Sequence, residues 1–589
     1  MKPIPTIILL TAILIFASCE QNQTGFIHTQ GQQIVDANGN NVILRGAGLG
    51  GWMLQEGYML QSSGFADTQY KMKERIVALA GNDAMEAFYD AWLNNYCTKT
   101  DVDSMAAWGF NSIRLPMHYN LFTLPIEDEP VAGHDTWLDR GFVMVDNLLD
   151  WCEANQMYLI LDLHAAPGGQ GKNASISDYN PEKPSLWESP ENQRKTVALW
   201  RKIAKRYANE PWIGGYDLIN EPNWDFENSG NQNGCNCENN ELLWAHLKSI
   251  IDAIREVDKN HIVFLAGNCW GNNYNGLPDF TQWDNNIAIS FHKYWNFNTQ
   301  ESIQWVIDMR EKYNVPVWLG ESGENSNTWF SNAISLVESN NIGWAWWPYK
   351  KIESPTCRVT APKTIGYQNL LNYWRGDAEI PSPAQAKQWL IEQAEMLKLE
   401  NCKINYDVLD AMFRQAQGGK SAKPSKKHIL PGRIFAVDYD FGANNYAWFD
   451  NDTANYRTST QQNTRWNKGG KYRNDGVDIF SCNDEITNGF CVGATEAGEW
   501  LHYSIHSESD ADYLLKIRYK SDSLDSKIAL EVNGQISNEA HVLPVNLEEQ
   551  KWQSTSLGAV SFKKGSNKMK IKIAQGNFDI NYLEFLTIQ

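Results

Sequence analysis

Two glutamates stand in settings that could do chemistry. Glu221 lies in the triplet Asn220-Glu221-Pro222, and Glu321 follows the apolar run 317–320. Cleavage of a glycosidic bond with retention needs one carboxyl group that is protonated near neutral pH and a second that is ionised. The two groups then lie about 5–5.5 Å apart, so that the ionised one reaches the anomeric carbon directly. We therefore expect Glu321 to act as nucleophile and Glu221 as acid and then base, if the fold brings them together.

Other polar and aromatic residues occur near the ends of apolar runs of the same kind. The candidates for substrate contact are Arg114, His118, His164, Asn220, His292, Tyr294 and Trp347. Arg114 and Tyr294 can donate hydrogen bonds to Glu321 and keep it charged. Asn220 is placed to bond a substrate 2-hydroxyl, a contact that strengthens in the transition state. Further tryptophans that loops could bring to the substrate are Trp52, Trp224, Trp270 and Trp295.

Structural alternatives exist for several of these residues. Glu321 alone could be an ion-pair partner of Arg114, but that would leave Glu221 without a role. His164 and His292 could be core histidines whose hydrogen bonds are satisfied by their neighbours. The presence of both glutamates favours catalysis over these alternatives.

The elements that must position these residues alternate between strands and helices. Eight short runs of apolar, β-branched or aromatic residues predict buried strands, at 42–49, 112–116, 158–164, 214–220, 262–268, 287–294, 315–323 and 343–350. Amphipathic segments between them predict helices, and near-continuous apolar strands are typical of strands buried on both faces. Eight such units predict an α/β fold, a (β/α)8 TIM barrel over residues 25–417, with its chemistry at the carboxyl ends of the strands.

A glycine-rich segment in the first predicted strand allows a different hypothesis. Residues 46–51 satisfy the G-x-G-x-x-G pattern of dinucleotide-binding folds. The residues that follow, 52–57, do not begin a clean helix. Because that pattern must open a helix of a doubly wound sheet, and the strand count predicts a barrel, we do not expect a nucleotide site.

The composition changes after residue 417. The segment 418–430 is rich in Gly, Ser, Pro and Lys and is predicted to be a linker, because such residues cannot bury a core. Beyond it, short alternating runs predict strands at 500–505, 513–519, 527–532, 568–573 and 580–585. Residues 431–589 are therefore expected to form an all-β jelly-roll sandwich.

Composition excludes several classes of function. The chain has 51 Lys and Arg against 70 Asp and Glu, a formal net charge of −19, so no nucleic-acid partner is expected. Its 25 Trp, 24 Tyr and 22 Phe exceed what a core requires and suit surfaces that stack against the apolar faces of pyranose rings. After the N-terminus no run reaches the ~18 uninterrupted apolar residues of a membrane helix.

The first nineteen residues are typical of a targeting segment. Lys2 precedes a short apolar run, 7–16, and the small residues Ala17 and Ser18 precede Cys19. This ending resembles a bacterial lipoprotein processing site, so we predict a signal peptide over 1–19 with Cys19 lipidated; plain secretion is the alternative. The protein would then be secreted, periplasmic or at the cell surface, with the lipid as its one membrane contact.

Ten cysteines minus Cys19 leave nine, an odd number, so at least one is unpaired within the chain. The candidates for disulfides in an oxidising compartment are Cys235, Cys237, Cys482 and Cys491. No His or second Cys pair stands at zinc-ligand spacing from Cys235 and Cys237, so no metal is expected there.

Seven motifs in sequence order resemble glycoside hydrolase family 5. They are Leu44-Arg45-Gly46, Asn111–Pro116, Leu161–His164, Leu218–Pro222, Phe291–Tyr294, Leu319–Gly323 and the Trp-rich eighth strand. The resemblance covers most of residues 25–417 and implies Glu221 as acid/base and Glu321 as nucleophile. It also implies that the candidate contact residues above surround them. The segments 48–52 and 165–168 are similar to the exo-β-1,3-glucanase branch, although 53–59 departs from it, so the linkage stays open.

The sandwich region resembles a carbohydrate-binding module of family 6. The likeness rests on residues 431–433, 472–479, 492–501 and 578–585. In that family an aromatic pair and a polar side chain hold a sugar, and the matching positions are Tyr472, Trp552 and Asp579. Structural calcium is common in the family, but Phe435 and Val437 stand where carboxylates are expected.

Together these observations predict a monomeric retaining hydrolase of β-glucan with an appended polysaccharide-binding module. Catalysis is expected to need no cofactor, because positioned carboxylates carry the reaction. Two alternatives stay open. One is a non-catalytic glycan-binding surface protein, and the other is the same mechanism on a different sugar, such as β-mannan or a furanoside.

Overall fold

The computed structural model describes residues 25–451, 466–521, 523–536, 540–545 and 551–588. The predicted signal peptide and its lipidated Cys19 lie outside this part of the chain. Within it, no helix is both long and apolar enough to cross a membrane.

The N-terminal part is a closed barrel of eight parallel strands, preceded by the hairpin β1 (His28–Gln30) and β2 (Gln33–Val35). The barrel strands are β3 (Arg45–Gly48), β4 (Ser112–His118), β5 (Tyr158–Ala165), β6 (Ile213–Asp217), β7 (Val263–Ala266), β8 (Ile287–Lys293), β9 (Val317–Gly323) and β10 (Gly343–Trp347). Each pairs with its neighbours in sequence, and β10 closes the barrel on β3. All eight predicted strands are present, which confirms the TIM barrel.

Helices surround the barrel and continue beyond it. They are α1 (Gln69–Ala80), α2 (Asn82–Tyr96), α3 (Lys99–Trp108), α4 (Asp139–Ala154), α5 (Ala174–Ser177), α6 (Pro190–Tyr207), α7 (Glu241–Arg255), α8 (Asn268–Gly271), α9 (Gln300–Tyr313), α10 (Asn327–Ser339), α11 (Ile365–Arg375), α12 (Pro383–Glu395) and α13 (Tyr406–Leu409). The apolar sides of the long helices pack on strands whose residues are almost all buried. Strands covered on both faces explain the unbroken apolar runs in the sequence.

A small sheet follows the barrel, made of β11 (Lys350–Ile352), β12 (Val359–Ala361) and β13 (Lys403–Ile404). It lies between the last barrel strand and α13 in the chain. The glycine-rich segment 46–51 contributes to β3 and is followed by turns up to α1, so the arrangement of a dinucleotide-binding fold is not formed.

The C-terminal part is a sandwich of two sheets. Its strands are β14 (His428–Leu430), β15 (Gly432–Phe435), β16 (Trp448–Phe449), β17 (Ile479–Ser481), β18 (Phe490–Val492), β19 (Trp500–Ser507), β20 (Ala511–Ser521), β21 (Lys527–Val532), β22 (Gln535–Ile536), β23 (His541–Val542), β24 (Gln553–Phe562), β25 (Gly565–Gln575) and β26 (Phe578–Thr587). Buried and exposed positions alternate along β20, as one covered sheet face requires. The five predicted strands are all present as β19, β20, β21, β25 and β26, and the other eight strands among the described residues, of which β24 is the longest, were not predicted.

Part of the predicted linker is paired with the sandwich. The backbone of Lys423 pairs with that of Phe441, and β14 runs parallel to residues 505–507 of β19. The pairing satisfies backbone N–H and C=O groups that a free linker would leave to water. Whether 418–430 marks a boundary between domains stays a prediction.

Candidate active site

Glu221 and Glu321 converge at one end of the barrel. Glu321 lies in β9, Glu221 follows β6, and both carboxyl groups flank His292 at the end of β8. The Nδ1 atom of His292 is 2.7 Å from Oε1 of Glu221 and 4.0 Å from Oε1 of Glu321. An oxygen of each glutamate and this nitrogen all lie within 4.8 Å of one another. Two carboxyl oxygens this close together fit the ~5–5.5 Å separation of retaining glycosidases better than the ~6.5–9.5 Å of inverting ones.

Glu321 accepts hydrogen bonds at both of its oxygens. The guanidinium of Arg114 donates to Oε2 over 2.7 Å, and the hydroxyl of Tyr294 donates to Oε1 over 2.9 Å. Donors directed at a carboxylate favour its ionised form. Burial raises the pKa of Glu321, whereas the charges of His292 and Arg114 lower it. This carboxylate is therefore held in place for attack.

Burial raises the pKa of Glu221 as it does that of Glu321, but the two carboxyl groups have different hydrogen-bond partners. The pKa of Glu221 is raised to about 8, opposed by the more distant Arg114. Glu221 is only 5% exposed. Among the described residues, its carboxyl group has a hydrogen bond with His292 alone. At neutral pH the protonated form is favoured, as a general acid requires.

The backbone at Glu221 is held in an unusual conformation. Its φ of 44° lies in the left-handed region, which non-glycine residues seldom adopt. The side-chain amide of Asn223 donates to the carbonyl of Glu221 over 2.8 Å and helps to fix this turn. Such strain is found where a side chain must be aimed, here toward His292.

Arg114 lies beneath the two glutamates and not at the surface of the cavity. It is 1% exposed and also donates to Asp217 (2.9 Å) and to the Oδ1 atom of Asn220 (2.8 Å). Burial raises the pKa of Asp162 to about 7 and that of Asp217 to about 6, and the Arg114 charge opposes both shifts. The guanidinium therefore fixes the positions of several groups at once.

Asn220 and His164 form the next part of this network. The Nδ2 atom of Asn220 is 3.1 Å from Nε2 of His164, whose Nδ1 atom is 2.7 Å from Asp162. Burial lowers the pKa of His164 to about 3, so the ring is neutral. His164 lines the cavity, whereas Asn220 is fully buried behind it. The predicted contact of Asn220 with a substrate hydroxyl stays a prediction.

Trp347, at the end of β10, forms one wall. Its ring stacks on that of His164 with centroids 4.9 Å apart and 5° between the planes. Its indole N–H donates to the hydroxyl of Tyr58 over 2.9 Å. A Cβ atom at Gly50 would lie 2.5 Å from the Trp347 ring. A glycine is thus required at position 50, within the glycine-rich segment 46–51, so that this tryptophan can pack.

The cavity above the glutamates has a volume of about 790 Å³. Of the tryptophans expected from loops, Trp270 and Trp295 line it, and Trp52 and Trp224 do not. Trp52 is buried and donates its indole N–H to the carbonyl of Leu93. A lining that combines aromatic faces with polar groups suits a sugar, which offers both kinds of surface.

Among the cavity residues that the sequence analysis missed are Glu56, Tyr58 and Glu324. Burial and the charges of Glu321 and Glu221 raise the pKa of Glu56 well above its usual value. Glu324 pairs with Lys351 at 2.8 Å. Glu324 lies three residues beyond Glu321 and could have been expected near it; Glu56 and Tyr58 stand in a turn without regular periodicity, which gave no signal.

His118 is placed away from the cavity. Its Nε2 atom is 3.0 Å from Asp178, and its Nδ1 atom accepts from the backbone of Asn120 over 3.2 Å. The ring does not line the cavity and both nitrogens have partners. His118 therefore orders the loops around the site, and a direct substrate contact is not supported by its position.

The cysteines pair differently from the expectation. Cys235 is bonded to Cys269, and Cys237, Cys482 and Cys491 are free. The partner was missed because Cys269 lies 34 residues away and only the fold brings it close. Trp270, next to it, donates its backbone N–H to the carbonyl of Pro222, so the disulfide-linked loop packs beside Glu221.

The three residues expected to bind sugar in the sandwich are not in one cluster of contacts. The hydroxyl of Tyr472 donates to Asp438 over 2.5 Å, and Lys403 of the barrel region lies 4.1 Å from its ring centre. Trp552 lies 6.0 Å from the amino group of Lys520, which is 3.5 Å from Asp579. Trp552 and Asp579 thus share a neighbour, and Tyr472 packs against the barrel instead.

Two parts of the chain match known families. Residues 71–352 match the family described as cellulase (glycosyl hydrolase family 5), and residues 473–585 match carbohydrate binding module (family 35). The chain therefore carries a glycoside hydrolase family 5 domain. The expectation of a family 6 module was wrong. Both families are β-sandwiches, so the short motifs used did not separate them.

Individual relatives match about half of the chain. The chain is 27% identical over 361 residues to a beta-xylosidase of Phanerodontia chrysosporium, covering 56% of this chain and 71% of that protein. It is 25% identical over 333 residues to endoglucanase C of Acetivibrio thermocellus, covering 46% and 88%. The solved structure of a rutinosidase from Aspergillus niger is similar with a TM-score of 0.43 and 17% identity, covering 54% and 92%.

Proposed function

We propose that this protein hydrolyses a β-linked glucan with retention of configuration, using Glu321 as nucleophile and Glu221 as acid and base. The observation that carries the proposal is the approach of the two carboxyl groups to within 4.8 Å, with donors on Glu321 and a raised pKa on Glu221. No cofactor takes part, because the bond changes below need only these two groups.

The reaction has two steps. First, an Oε atom of Glu321 attacks the anomeric carbon, the glycosidic C–O bond breaks, and Glu221 gives its proton to the departing oxygen. Glu221, now ionised, then takes a proton from a water molecule. The water oxygen attacks the anomeric carbon and releases Glu321, and the enzyme returns to its starting state.

The wall of the cavity supports a sugar substrate. Trp347, Trp270 and Trp295 offer apolar surfaces, and Glu56, Tyr58 and His164 offer hydrogen-bonding groups. A relative named endoglucanase supports glucan. A relative named beta-xylosidase favours a second candidate substrate, a β-xyloside. Its sugar, xylose, lacks the hydroxymethyl group of glucose.

The surroundings of the enzyme are also part of the proposal. We propose that Cys19 carries a lipid at the surface of a bacterial cell and that the family 35-like module binds polysaccharide. The protein then acts as a monomer next to its substrate. Calcium in the module is not part of the proposal, because Val437, at one of the two positions where the family 6 resemblance expected carboxylates, is buried and apolar.

The test is the variant Glu321→Gln, assayed by release of reducing ends from β-1,3-, β-1,4- and β-1,6-glucans, xylan and mannan. We expect a loss of at least about 10⁴-fold in kcat, with polysaccharide adsorption unchanged, because the amide cannot form the ester intermediate. Glu379→Gln, at an exposed glutamate that does not line the cavity, is the matched control. Near-full activity of Glu321→Gln would contradict the mechanism; hydrolysis of xylan alone would replace glucan by xyloside.

A further inference from the structure

The sandwich is fixed to the barrel beside the active site. Asn474 is fully buried between them and makes four hydrogen bonds to barrel-side residues. Its backbone N–H donates to Asp407 (2.8 Å), and its side-chain amide donates to the carbonyl of Asn325 (2.9 Å) and to the Oδ1 atom of Asn327 (3.1 Å). Its carbonyl accepts from the N–H of Asn327 over 3.0 Å. Four buried hydrogen bonds hold this surface in one position, although the Oδ1 atom of Asn474 has no partner among the described residues.

The point of attachment lies close to the nucleophile. Asn325 is four residues beyond Glu321, just after β9. Asp407 also accepts from the side chain of Asn327 over 2.8 Å, so the same carboxylate ties the barrel segment and the sandwich together. The contact therefore places the sandwich at the open end of the barrel, where the substrate must enter.

A second cavity, of about 400 Å³, lies between the two parts of the chain. Tyr58, Trp295 and Glu324 line this cavity and also the one above the glutamates. On the sandwich side it is lined by Trp466 and Lys471, among others. Because three residues are shared, the two cavities are neighbouring parts of one cleft.

Two tryptophans meet where the cavities join. The rings of Trp295 and Trp466 have centroids 6.4 Å apart and planes at 36°. Trp295 directly follows Tyr294, the residue that donates to Glu321. Its φ of 53° is rare for a bulky side chain and indicates a ring held in a required direction. The indole pair thus continues the wall of the active site from the barrel onto the sandwich.

The second cavity also offers polar groups at its edge. Lys351, paired with Glu324 at 2.8 Å, lines it from the barrel, and the exposed Lys471 lines it from the sandwich. Apolar indole faces with hydrogen-bonding groups around them match a sugar ring, whose CH face is apolar and whose hydroxyls lie at its rim.

We propose that the sandwich forms part of the substrate cleft. The glycan chain cleaved between Glu221 and Glu321 extends past Trp295 into the cavity between the domains, where Trp466 contacts a further sugar unit. This inference rests on the proposed function. In this arrangement the module is not held on a flexible linker. Its own residues line the substrate site of the enzyme.

The test compares Trp466→Ala with the native full-length chain on β-gluco-oligosaccharides of two to six units and on an aryl β-glucoside. For the longest substrates we expect kcat/KM to fall about tenfold. The reason is that the loss of one contact between an aromatic ring and a sugar weakens binding by about a factor of ten. The aryl glucoside, which is too short to reach Trp466, should be cleaved at the native rate. Trp466→Phe should retain most of the activity on long chains.

The matched control is Tyr446→Ala, which removes an exposed aromatic ring of the sandwich that lines neither cavity. It should not change the dependence on chain length. A second variant, Asn474→Ala, weakens the attachment and should produce the same selective loss on long substrates. Thermal unfolding of each variant checks that it folds.

Two results are decisive in different ways. If the native chain is active and Trp466→Ala loses nothing, or loses the same factor on every substrate, the shared cleft is wrong and the proposed function stands. If the native chain cleaves none of these substrates and none of the other polysaccharides, the proposed function fails, and the cleft proposal with it.

Discussion

The barrel mouth and the expected sugar site of the sandwich were both predicted from side chains. The fold brings the predicted residues together at the barrel mouth but not in the sandwich. At the barrel mouth Glu221, Glu321 and His292 lie within one hydrogen-bonded cluster. In the sandwich, Tyr472 is turned against Lys403, and Trp552 stands elsewhere beside Lys520. Residues at the carboxyl ends of strands in a closed barrel must converge, whereas residues in sandwich loops have no such constraint.

The two regions also differ in how their polar groups are satisfied. Arg114 donates hydrogen bonds to Glu321, Asp217 and Asn220 at the same time, in a buried network. The groups around Trp552 are half-exposed and their contacts are longer than 3 Å. A buried network fixes geometry strongly, and an exposed one leaves the geometry to the ligand. Variants should therefore have large effects at the barrel mouth and small ones in the sandwich.

The largest contrast is expected for Arg114→Lys. A lysine cannot reproduce the fork of contacts to two acids and an amide, so kcat should fall by about 10²-fold or more, and the protein should lose about 3–5 kcal/mol of stability. Loss of the guanidinium raises the pKa of Glu321 further, so the acid limb of the pH profile moves to higher pH. Steady-state kinetics across pH and chemical unfolding measure both effects.

Arg375→Lys, at a surface arginine of α11, is the control for that substitution. If Arg114→Lys reduced stability but left the acid limb of the profile in place, Arg114 would have only a structural role. The directed hydrogen bond from the guanidinium to Glu321 would then be discarded as a part of the mechanism.

A medium effect is expected from pH alone. Glu221 must be protonated to act as acid, and its pKa is raised to about 8, so kcat/KM should fall as pH rises through about 8. Above that pKa, kcat/KM should fall tenfold for each pH unit. In Glu221→Gln this alkaline limb should disappear together with most activity on glucan. An alkaline limb that persists in this variant would assign it to another group.

The smallest effect is expected in the sandwich. Trp552→Ala should weaken adsorption to insoluble β-glucan by about three- to fivefold, because a half-exposed ring contributes on the order of 1 kcal/mol. A pull-down of the full chain with the polysaccharide measures it, with Trp500→Phe as a conservative control on β19. Unchanged adsorption would remove Trp552 from the binding surface and leave the family 35 match without an assigned aromatic contact.

Much of the barrel and its site could be predicted from the sequence alone. Eight apolar runs predicted eight strands, and the polar residues that follow them predicted Glu221, Glu321, Arg114, His164 and Tyr294 near one another. This works because a strand buried on both faces leaves a long apolar signature, and because chain order fixes the order of strands in a barrel.

The remaining features depended on tertiary structure. Glu56 and Tyr58 stand in turns without periodicity, and Cys269 finds Cys235 across 34 residues. The contact between Trp295 and Trp466 joins positions 171 residues apart and has no local signal. Sequence pattern records which face of an element is buried, but which surfaces meet depends on packing between elements far apart in the chain. The chemistry was determined by the sequence, and the shape of the cleft was decided by the fold.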